Sequence, residues 1–149
     1  MTKANQESIS GIRYFDDISK GMSATVSNTI NERDVVAFAE ITGDKNPIHL
    51  DADYARTSIF GQRVSHGMLV AGFISAVFGC NFPGKGWIYV NQSLQFKKPV
   101  FIGEMVTTTV IAKKLIPKKQ IVEFDIVASV EEKYVVTGVA TLMAPKRPI

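Results

Sequence analysis

One apolar run in the middle of the chain limits the folds that this sequence can adopt. From Gly67 to Cys80, apolar side chains occupy every side of a helix, and a helix that is hydrophobic all round is a buried one. The run is too short to span a bilayer, which needs about 20 apolar residues. We therefore expect a long central helix that the rest of the chain covers.

Segments with strand character surround this helix in the sequence. Their side chains alternate between apolar and polar, which is the period of a half-buried strand, and an extended stretch is also expected from Tyr14 to Ile18. The predicted strands are Met22–Ile30, Trp87–Phe96, Glu104–Leu115, Gln120–Glu131 and Tyr134–Met143. Hairpin-length connections join the last four, which predicts an antiparallel meander.

The economical way to pack one helix and one antiparallel sheet is to wrap the sheet around the helix, which makes the predicted class α+β. Such a sheet leaves one edge unpaired, and an unpaired edge favours pairing with a second copy of the chain. We therefore expect a homodimer or a larger homo-oligomer.

Length and composition are those of a single globular domain. The chain has 149 residues, of which 46% are hydrophobic and 21% are charged, without a signature of disorder. We assign residues 11–149 to one domain and residues 1–10 to a flexible polar tail. Because the tail lacks the apolar segment of a signal peptide, we expect a cytoplasmic protein without a membrane partner.

Charge, cysteine and histidine content argue against several further classes. The net charge of +3 is mild, and there is no basic, aromatic stripe of the kind that binds nucleic acid. The single cysteine, Cys80, excludes an intramolecular disulfide, and its apolar neighbours predict a buried thiol. Two histidines and no cysteine cluster are too few for the usual zinc site, so no metal is predicted.

A short helix is predicted between the first strand and the apolar run. Asn31 is its N-cap and Asp34, three residues later, completes a variant of the capping box. Gly43 ends the helix as a C′ glycine. The residue after it, Asp44, is therefore placed in a turn where its side chain has the freedom to enter a cleft.

The peptide from Gly43 to His49 carries the strongest chemical signal of the sequence. Asp44 and His49 are five positions apart across a turn that Pro47 stiffens, with Asn46 between them as a candidate orienting residue. A carboxylate beside an imidazole can transfer protons near neutral pH. The same residues also form an ordinary helix stop followed by an Asx turn, and this peptide alone does not separate the two interpretations.

A second motif, His66-Gly67-Met68, opens the apolar helix. The first N–H groups of a helix have no intrahelical partner and lie at the positive end of its dipole. Gly67 would let a carbonyl oxygen approach such an N–H group, which is the requirement for an oxyanion hole. A tight turn into the helix would equally explain this glycine. Ser75, further along the helix, is either a hydrogen-bonding group for the site or bonded to its own helix.

Taken together, these motifs resemble those of the (R)-specific enoyl-CoA hydratases, the hydratase 2 or MaoC-like dehydratase family. The similarity begins at about Tyr14 and covers nearly all of the chain after it. It is carried by Phe38–His49 with Ala55, by Phe60-Gly61, Val64 and His66–Leu69, by Gly84–Tyr89, and by Gln92–Glu104. The family has the hot-dog fold, in which a sheet wraps a long helix, and this agrees with the packing inferred above.

The resemblance implies a reaction and a set of residues for it. Asp44 and His49 would add water reversibly across a trans-2-enoyl thioester to give the (R)-3-hydroxyacyl product, without a cofactor. The Gly67 N–H group would stabilise the charge on the thioester oxygen, and Ser75 would orient the pair. The acyl chain would lie along the central helix, near Met68 and with Phe78 as the wall that limits its length.

Three other functions, two of them catalytic, remain alternatives to the hydratase at this point. An acyl-carrier-protein dehydratase runs the same chemistry in the opposite direction, and CoA and carrier protein share the pantetheine arm. A hot-dog thioesterase would direct water at C1 instead of C3, which the spacing of Asp44 and His49 disfavours. A non-catalytic acyl-binding protein would not need these two side chains.

Overall fold

The computed structural model describes residues 11–149, so the predicted tail at residues 1–10 lies outside the described residues. Single-turn 3₁₀ helices at Phe15–Asp17 and Pro117–Lys119 supplement the main elements. These main elements are β1 (Ser23–Thr29), α1 (Glu32–Thr42), α2 (Pro47–Leu50), α3 (Ala52–Arg56), α4 (Gly67–Ala76), β2 (Ile88–Phe96), β3 (Met105–Ile116), β4 (Ile121–Val130) and β5 (Lys133–Met143). The prediction of an extended stretch from Tyr14 to Ile18 is wrong, because a helical turn occupies its centre.

The five strands form one antiparallel sheet in the order β1-β3-β4-β5-β2. The predicted meander is correct for β3, β4 and β5 but wrong for β2, which pairs with β5 instead of β3. Residues 97–104 do not turn back, because Lys97-Lys98-Pro99 lacks the residues of a tight hairpin turn. Instead, the N–H group of Lys97 bonds the carbonyl of Val135, and the chain crosses to β3, which lies between β1 and β4.

Alternation along the strands directs one face of the sheet towards α4. In β4, every second side chain is buried, and Phe124 meets Phe78, which follows α4, with ring centroids 5.0 Å apart. Helix α4 contributes Val70 and Ile74 to this core. The α+β arrangement of a sheet packed on a central helix is therefore present.

The helix is covered on one side only, so the prediction of burial all round is wrong for its other side. The exposed face carries small or flexible side chains, namely Met68, Gly72, Ser75, Ala76, Gly79 and Cys80. The prediction of a buried Cys80 thiol fails for the same reason, since a single sheet covers only one face of a helix. A π-helical turn at Val77–Asn81 ends the helical segment.

Helix α1 begins and ends where the sequence predicts. The N–H group of Asn31 bonds the carboxylate of Asp34 at 3.0 Å, and Gly43 adopts a φ of 78° at the C-terminus. A left-handed residue at this point turns the chain sharply out of the helix. Asp44 is thereby placed at the start of the loop that leads into α2. None of the helices in residues 11–149 has the length and apolar character needed to cross a bilayer.

Candidate active site

The loop from Asp44 to His49 forms the capped turn that one of the two interpretations predicts. The Asp44 carboxylate accepts a hydrogen bond from the Asn46 N–H group at 3.3 Å. The Asn46 side chain in turn accepts one from the Ile48 N–H group at 3.2 Å and so caps α2. The turn therefore fixes the backbone that carries the two candidate proton-transfer groups.

The ring of His49 is held by the backbone of a neighbouring segment. Its Nδ1 lies 2.8 Å from the carbonyl oxygen of Val64, so Nδ1 is the protonated nitrogen and Nε2 is left as an acceptor. Arg63 donates from Nε to the His49 carbonyl at 2.7 Å and pairs with Glu32 of α1 at 2.9 Å. Both the ring and the backbone of His49 are thus fixed.

The surroundings of His49 favour the neutral imidazole. Burial lowers its pKa from the ordinary value, and the nearby His66 lowers it further, whereas the Val64 hydrogen bond and the Asp44 carboxylate oppose this change. A neutral imidazole with a free Nε2 can accept a proton at neutral pH.

Asp44, His49 and His66 converge on one point. A carboxylate oxygen of Asp44 and one ring nitrogen from each histidine all lie within 4.8 Å of one another. Three such ligands are the number in a catalytic zinc site, and a ring nitrogen bonded to a backbone carbonyl, as in both histidines, leaves the other nitrogen of the ring free to bind a metal. That this protein needs no metal stays a prediction.

His66 lies deeper than the other two residues, with only 2% of its surface exposed. Its Nε2 is 3.0 Å from the carbonyl oxygen of Asp44, and its ring stacks on that of His49 with centroids 3.8 Å apart. The sequence indicated only that His66 shapes the start of the central helix. Its contacts with the two other residues had no sequence signal, because they depend on how two distant loops pack.

Gly67 is the first residue of α4, and its N–H group precedes the first intrahelical hydrogen bonds. A Cβ atom at this position would lie 2.6 Å from the ring of Phe96. Any side chain at this position would have to displace that ring, and the backbone of Gly67 lines the adjoining cavity.

A cavity of about 520 Å³ adjoins these groups. Its walls combine the end of β2 with the segments before and within α4. The residues that line it are Asn46, Ile48, His49, Phe60, Val64, Ser65, Gly67, Met68, Val70, Phe96, Lys97, Lys98, Pro99, Val100 and Val136. This is an ordinary size for a small-molecule site, and most of its lining is apolar.

Comparison with known proteins identifies the family. The family described as MaoC like domain matches residues 16–134. This chain belongs to the MaoC-like family. The predicted family and the predicted hot-dog fold are therefore confirmed.

Individual relatives of this MaoC-like chain carry related names. It is 51% identical to the (R)-specific enoyl-CoA hydratase of Rhodospirillum rubrum over 91% of this chain and 94% of the relative. It is 33% identical to a mitochondrial 3-hydroxyacyl-[acyl-carrier-protein] dehydratase of Arabidopsis thaliana, over 90% of this chain and 86% of the relative. The solved (R)-hydratase of Aeromonas caviae superposes with a TM-score of 0.83 and 38% identity, covering 86% of this chain and 98% of that one.

The fold of this MaoC-like protein brings most, but not all, of the predicted site residues to the cavity. Asn46, His49, Gly67 and Met68 line it, and Asp44 lies within 4.8 Å of His49 although its own surface is largely exposed.

Two other predicted residues lie elsewhere in the MaoC-like chain. Ser75 is on the exposed face of α4, and Phe78 is buried in the core two turns beyond Val70. Neither lines the cavity.

The sequence also left several cavity residues unassigned in this MaoC-like protein. Phe60, Phe96, Lys97 and Lys98 line the cavity, but they belong to a loop and to the end of an edge strand. They meet only because β2 runs along β5, and the predicted hairpin placed β2 elsewhere.

Proposed function

We propose that this chain is an (R)-specific enoyl-CoA hydratase, a hydro-lyase that adds water reversibly to trans-2-enoyl-CoA to give (R)-3-hydroxyacyl-CoA. One observation carries the proposal: a carboxylate and an imidazole that burial keeps neutral converge beside a cavity that is also lined by the first residue of a helix. The relatives named as (R)-hydratases support the same reaction.

The spacing of Asp44 and His49 suits a bound water molecule. Two hydrogen bonds of about 2.8 Å that meet at a tetrahedral angle span about 4.6 Å, and a carboxylate oxygen of Asp44 and a ring nitrogen of His49 lie within 4.8 Å of one another. Both free groups are acceptors, since Nδ1 of His49 already donates to Val64. A water molecule between them would direct both of its protons at protein and its lone pairs at the substrate.

The reaction then follows from this arrangement. The water oxygen forms a bond to C3 while its proton passes to the Asp44–His49 pair, and the electrons of the C2=C3 bond move towards the thioester oxygen. The pair next returns a proton to C2. One water is consumed and the protein ends in its starting protonation state.

The Gly67 N–H group stabilises the negative charge that develops on the thioester oxygen. It belongs to a helix N-terminus, where the helix dipole favours negative charge, and the cavity brings a ligand to it. Removal of one such donor from an enzyme typically costs about 3 kcal/mol of barrier.

The acyl chain is proposed to run along the buried face of α4. Val70 lines the cavity, and Ile74 and Phe78 follow on the same face at helical spacing. Phe78 lies eleven residues after Gly67, which is about 16 Å along a helix and the length of a medium acyl chain. We therefore retain Phe78 as the wall of a site for short to medium chains.

A homodimer is part of the proposal, together with a cytoplasmic location. The outer strand β2 exposes Ile88, Val90 and Phe96, each by more than half of its surface. An orienting role for Ser75 depends on a second copy that also covers the exposed face of α4 that carries it. Size-exclusion chromatography with light scattering tests this, and a monomer at micromolar concentration would refute the dimer.

One assay tests the reaction. The protein is incubated with crotonyl-CoA, and three quantities are followed: enoyl absorbance, free thiol and the configuration of the 3-hydroxybutyryl product. We expect absorbance to fall without thiol release and the product to be R. Thiol release would indicate a thioesterase, and no change in either signal would contradict the proposal.

A carrier-protein substrate is the second candidate, because an Arabidopsis relative is named as an acyl-carrier-protein dehydratase. Lys97 and Lys98 line the cavity and would suit the phosphate of either pantetheine carrier. Parallel measurement of kcat/KM with crotonyl-CoA and crotonyl-carrier protein separates the two, and we expect the CoA substrate to be preferred.

A further inference from the structure

His66 contacts both members of the proposed proton-transfer pair. Its Nε2–H group donates to the carbonyl oxygen of Asp44 at 3.0 Å. Its ring lies against that of His49, with centroids 3.8 Å apart and the planes inclined by 31°. Phe38 of α1 packs on the same imidazole, with centroids 4.7 Å apart. One side chain thus joins α1, the Asp44 loop and the ring of His49.

The same residue is also covalently joined to the proposed oxyanion donor. His66 is the N-cap of α4, so its backbone sets the direction in which the N–H group of Gly67 points. The three groups that the reaction needs, namely Asp44, His49 and Gly67, are therefore each fixed relative to this one residue.

The imidazole at this place carries a cost for folding. His66 is 2% exposed, and within residues 11–149 its Nδ1 atom is buried without a hydrogen-bond partner. Buried polar atoms are normally paired, because an unpaired one loses its hydration without compensation. A phenyl ring would fill the same space without this cost. The hydrogen bond from Nε2 to Asp44 is the contact that only the imidazole makes.

We propose that His66 is a positioning residue, which holds the Asp44 backbone, the His49 ring and the Gly67 N–H group in one reactive geometry. It does not line the cavity, so it acts through these neighbours and not on the substrate. The proposal rests on the hydratase function proposed above.

Three substitutions separate the contacts of His66. His66→Gln keeps a donor for the Asp44 carbonyl but removes the ring, His66→Phe keeps the ring but removes the donor, and His66→Ala removes both. Because misplacement of a reacting group by about 1 Å can cost about 100-fold in rate, we expect kcat for crotonyl-CoA to fall about 100-fold in His66→Ala. Each of the other two variants should lose about tenfold, and KM should change less than kcat in all three.

A matched control separates positioning from loss of stability. Val110 is fully buried in β3, away from the cavity lining, and Val110→Ala should lower the melting temperature without lowering kcat. The positioning role is overturned if the three His66 variants lose no more kcat than Val110→Ala does for a comparable loss of melting temperature. His66→Phe preserves the buried ring and keeps the test valid if the alanine variant does not fold.

Nuclear magnetic resonance gives a second readout that needs no substrate. The chain has two histidines, so each His66 variant leaves His49 as the only imidazole, and His49→Gln assigns the wild-type signals. His49 is faced by the Asp44 carboxylate, the Val64 carbonyl and His66, and burial with His66 lowers its pKa. We expect the pKa of His49 to rise in His66→Ala and to rise less in His66→Phe.

The two proposals can fail separately. If the wild-type protein does not hydrate crotonyl-CoA, the proposed function fails, while the pKa and tautomer of His49 still report whether His66 holds that ring. If the wild-type protein hydrates crotonyl-CoA but His66→Ala has wild-type kcat and an unchanged His49 signal, the role of His66 is overturned and the function stands.

Discussion

The central strands of the sheet and the segment that carries the site are built in opposite ways. In β4, all five inward side chains are apolar and at most 8% exposed, namely Val122, Phe124, Ile126, Ala128 and Val130. Between Gly43 and Gly67, by contrast, the fully buried residues are Ala55, Val64, Ser65 and His66. Side chains that bond the backbone hold this second segment: Asn46 to Ile48, His49 to Val64, Arg63 to His49, and His66 to Asp44.

This difference separates stability from activity. Burial of apolar side chains in the sheet supplies most of the folding free energy, and it depends on volume more than on atomic detail. The site segment depends on single hydrogen bonds whose loss moves a reacting group. Substitutions in the sheet should therefore change stability first, whereas substitutions in the site segment should change activity first.

The largest effect is expected for the proposed proton-transfer pair. Asp44→Asn and His49→Gln should each lower kcat for crotonyl-CoA by about 100-fold to 10,000-fold, the usual contribution of general acid–base catalysis. The asparagine oxygen can still accept the hydrogen bond from the Asn46 N–H group, so the loop should keep its shape. Steady-state kinetics and thermal unfolding measure the two quantities.

The matched control for the lost carboxylate is Glu40→Gln on α1. Glu40 is 65% exposed and pairs with Lys45 in the same loop at 3.0 Å, but it is not among the converging groups. Its neutralisation should leave kcat unchanged. Turnover close to wild type in Asp44→Asn or His49→Gln would remove these residues from the mechanism.

The second expected effect is in stability, at a residue that links the two regions. Phe78 is 2% exposed and contacts Phe124 of the sheet, so Phe78→Ala should cost about 3–5 kcal/mol of unfolding free energy. If Phe78 also ends the acyl site, kcat/KM should rise for octenoyl-CoA relative to crotonyl-CoA. Urea unfolding and a series of enoyl-CoA substrates measure both effects.

Phe82→Ala is the control for this change. Phe82 is equally part of the aromatic core, with its ring centroid 5.9 Å from that of Phe124, but it lies beyond the end of the helical segment. It should lose stability without a change in chain-length preference. An identical preference in the two variants would place the acyl chain elsewhere.

The same contrast explains what could be predicted from the sequence. The strands, the cap of α1 at Asn31 and the turn at Gly43 follow from local patterns, and the Asp44–His49 spacing follows from the motif. The pairing of β2 with β5 joins segments that are distant in the sequence, so local patterns do not predict it. The place of Phe96 at the cavity depends on this pairing, and the burial of His66 depends on how the loops pack. The exposure of Cys80 was missed because an apolar sequence does not reveal how many faces of a helix one sheet can cover.

The pH dependence is the third prediction. Burial lowers the pKa of His49, so the imidazole is mostly neutral at pH 7 and kcat/KM for hydration should level off above neutral pH. Below the lowered pKa the rate should fall about tenfold for each pH unit. An acid limb with its midpoint at or above the ordinary histidine value would contradict the assignment, and His49→Gln should lack this limb.

The same shift has a consequence for stability with a definite sign. Because the pKa of His49 is lower in the folded state than in the unfolded chain, the unfolded chain binds more protons as the pH falls below about 6.5. The contribution of His49 to the free energy of unfolding is thus full above that pH. It is lost as the pH falls from there towards the pKa that His49 has in the folded protein. Unfolding curves measured on both sides of about pH 6.5 should show the wild type losing more free energy of unfolding than His49→Gln as the pH is lowered.

The smallest effect is expected at the cap of α2. Asn46 accepts a hydrogen bond from the Ile48 N–H group, so Asn46→Ala should cost about 1 kcal/mol of stability. It should lower kcat as well, because α2 carries His49. Asn46→Ser restores a capping oxygen and should recover stability and part of kcat. If the serine variant recovers stability but none of the activity, Asn46 acts in the cavity that it lines and not through the position of His49.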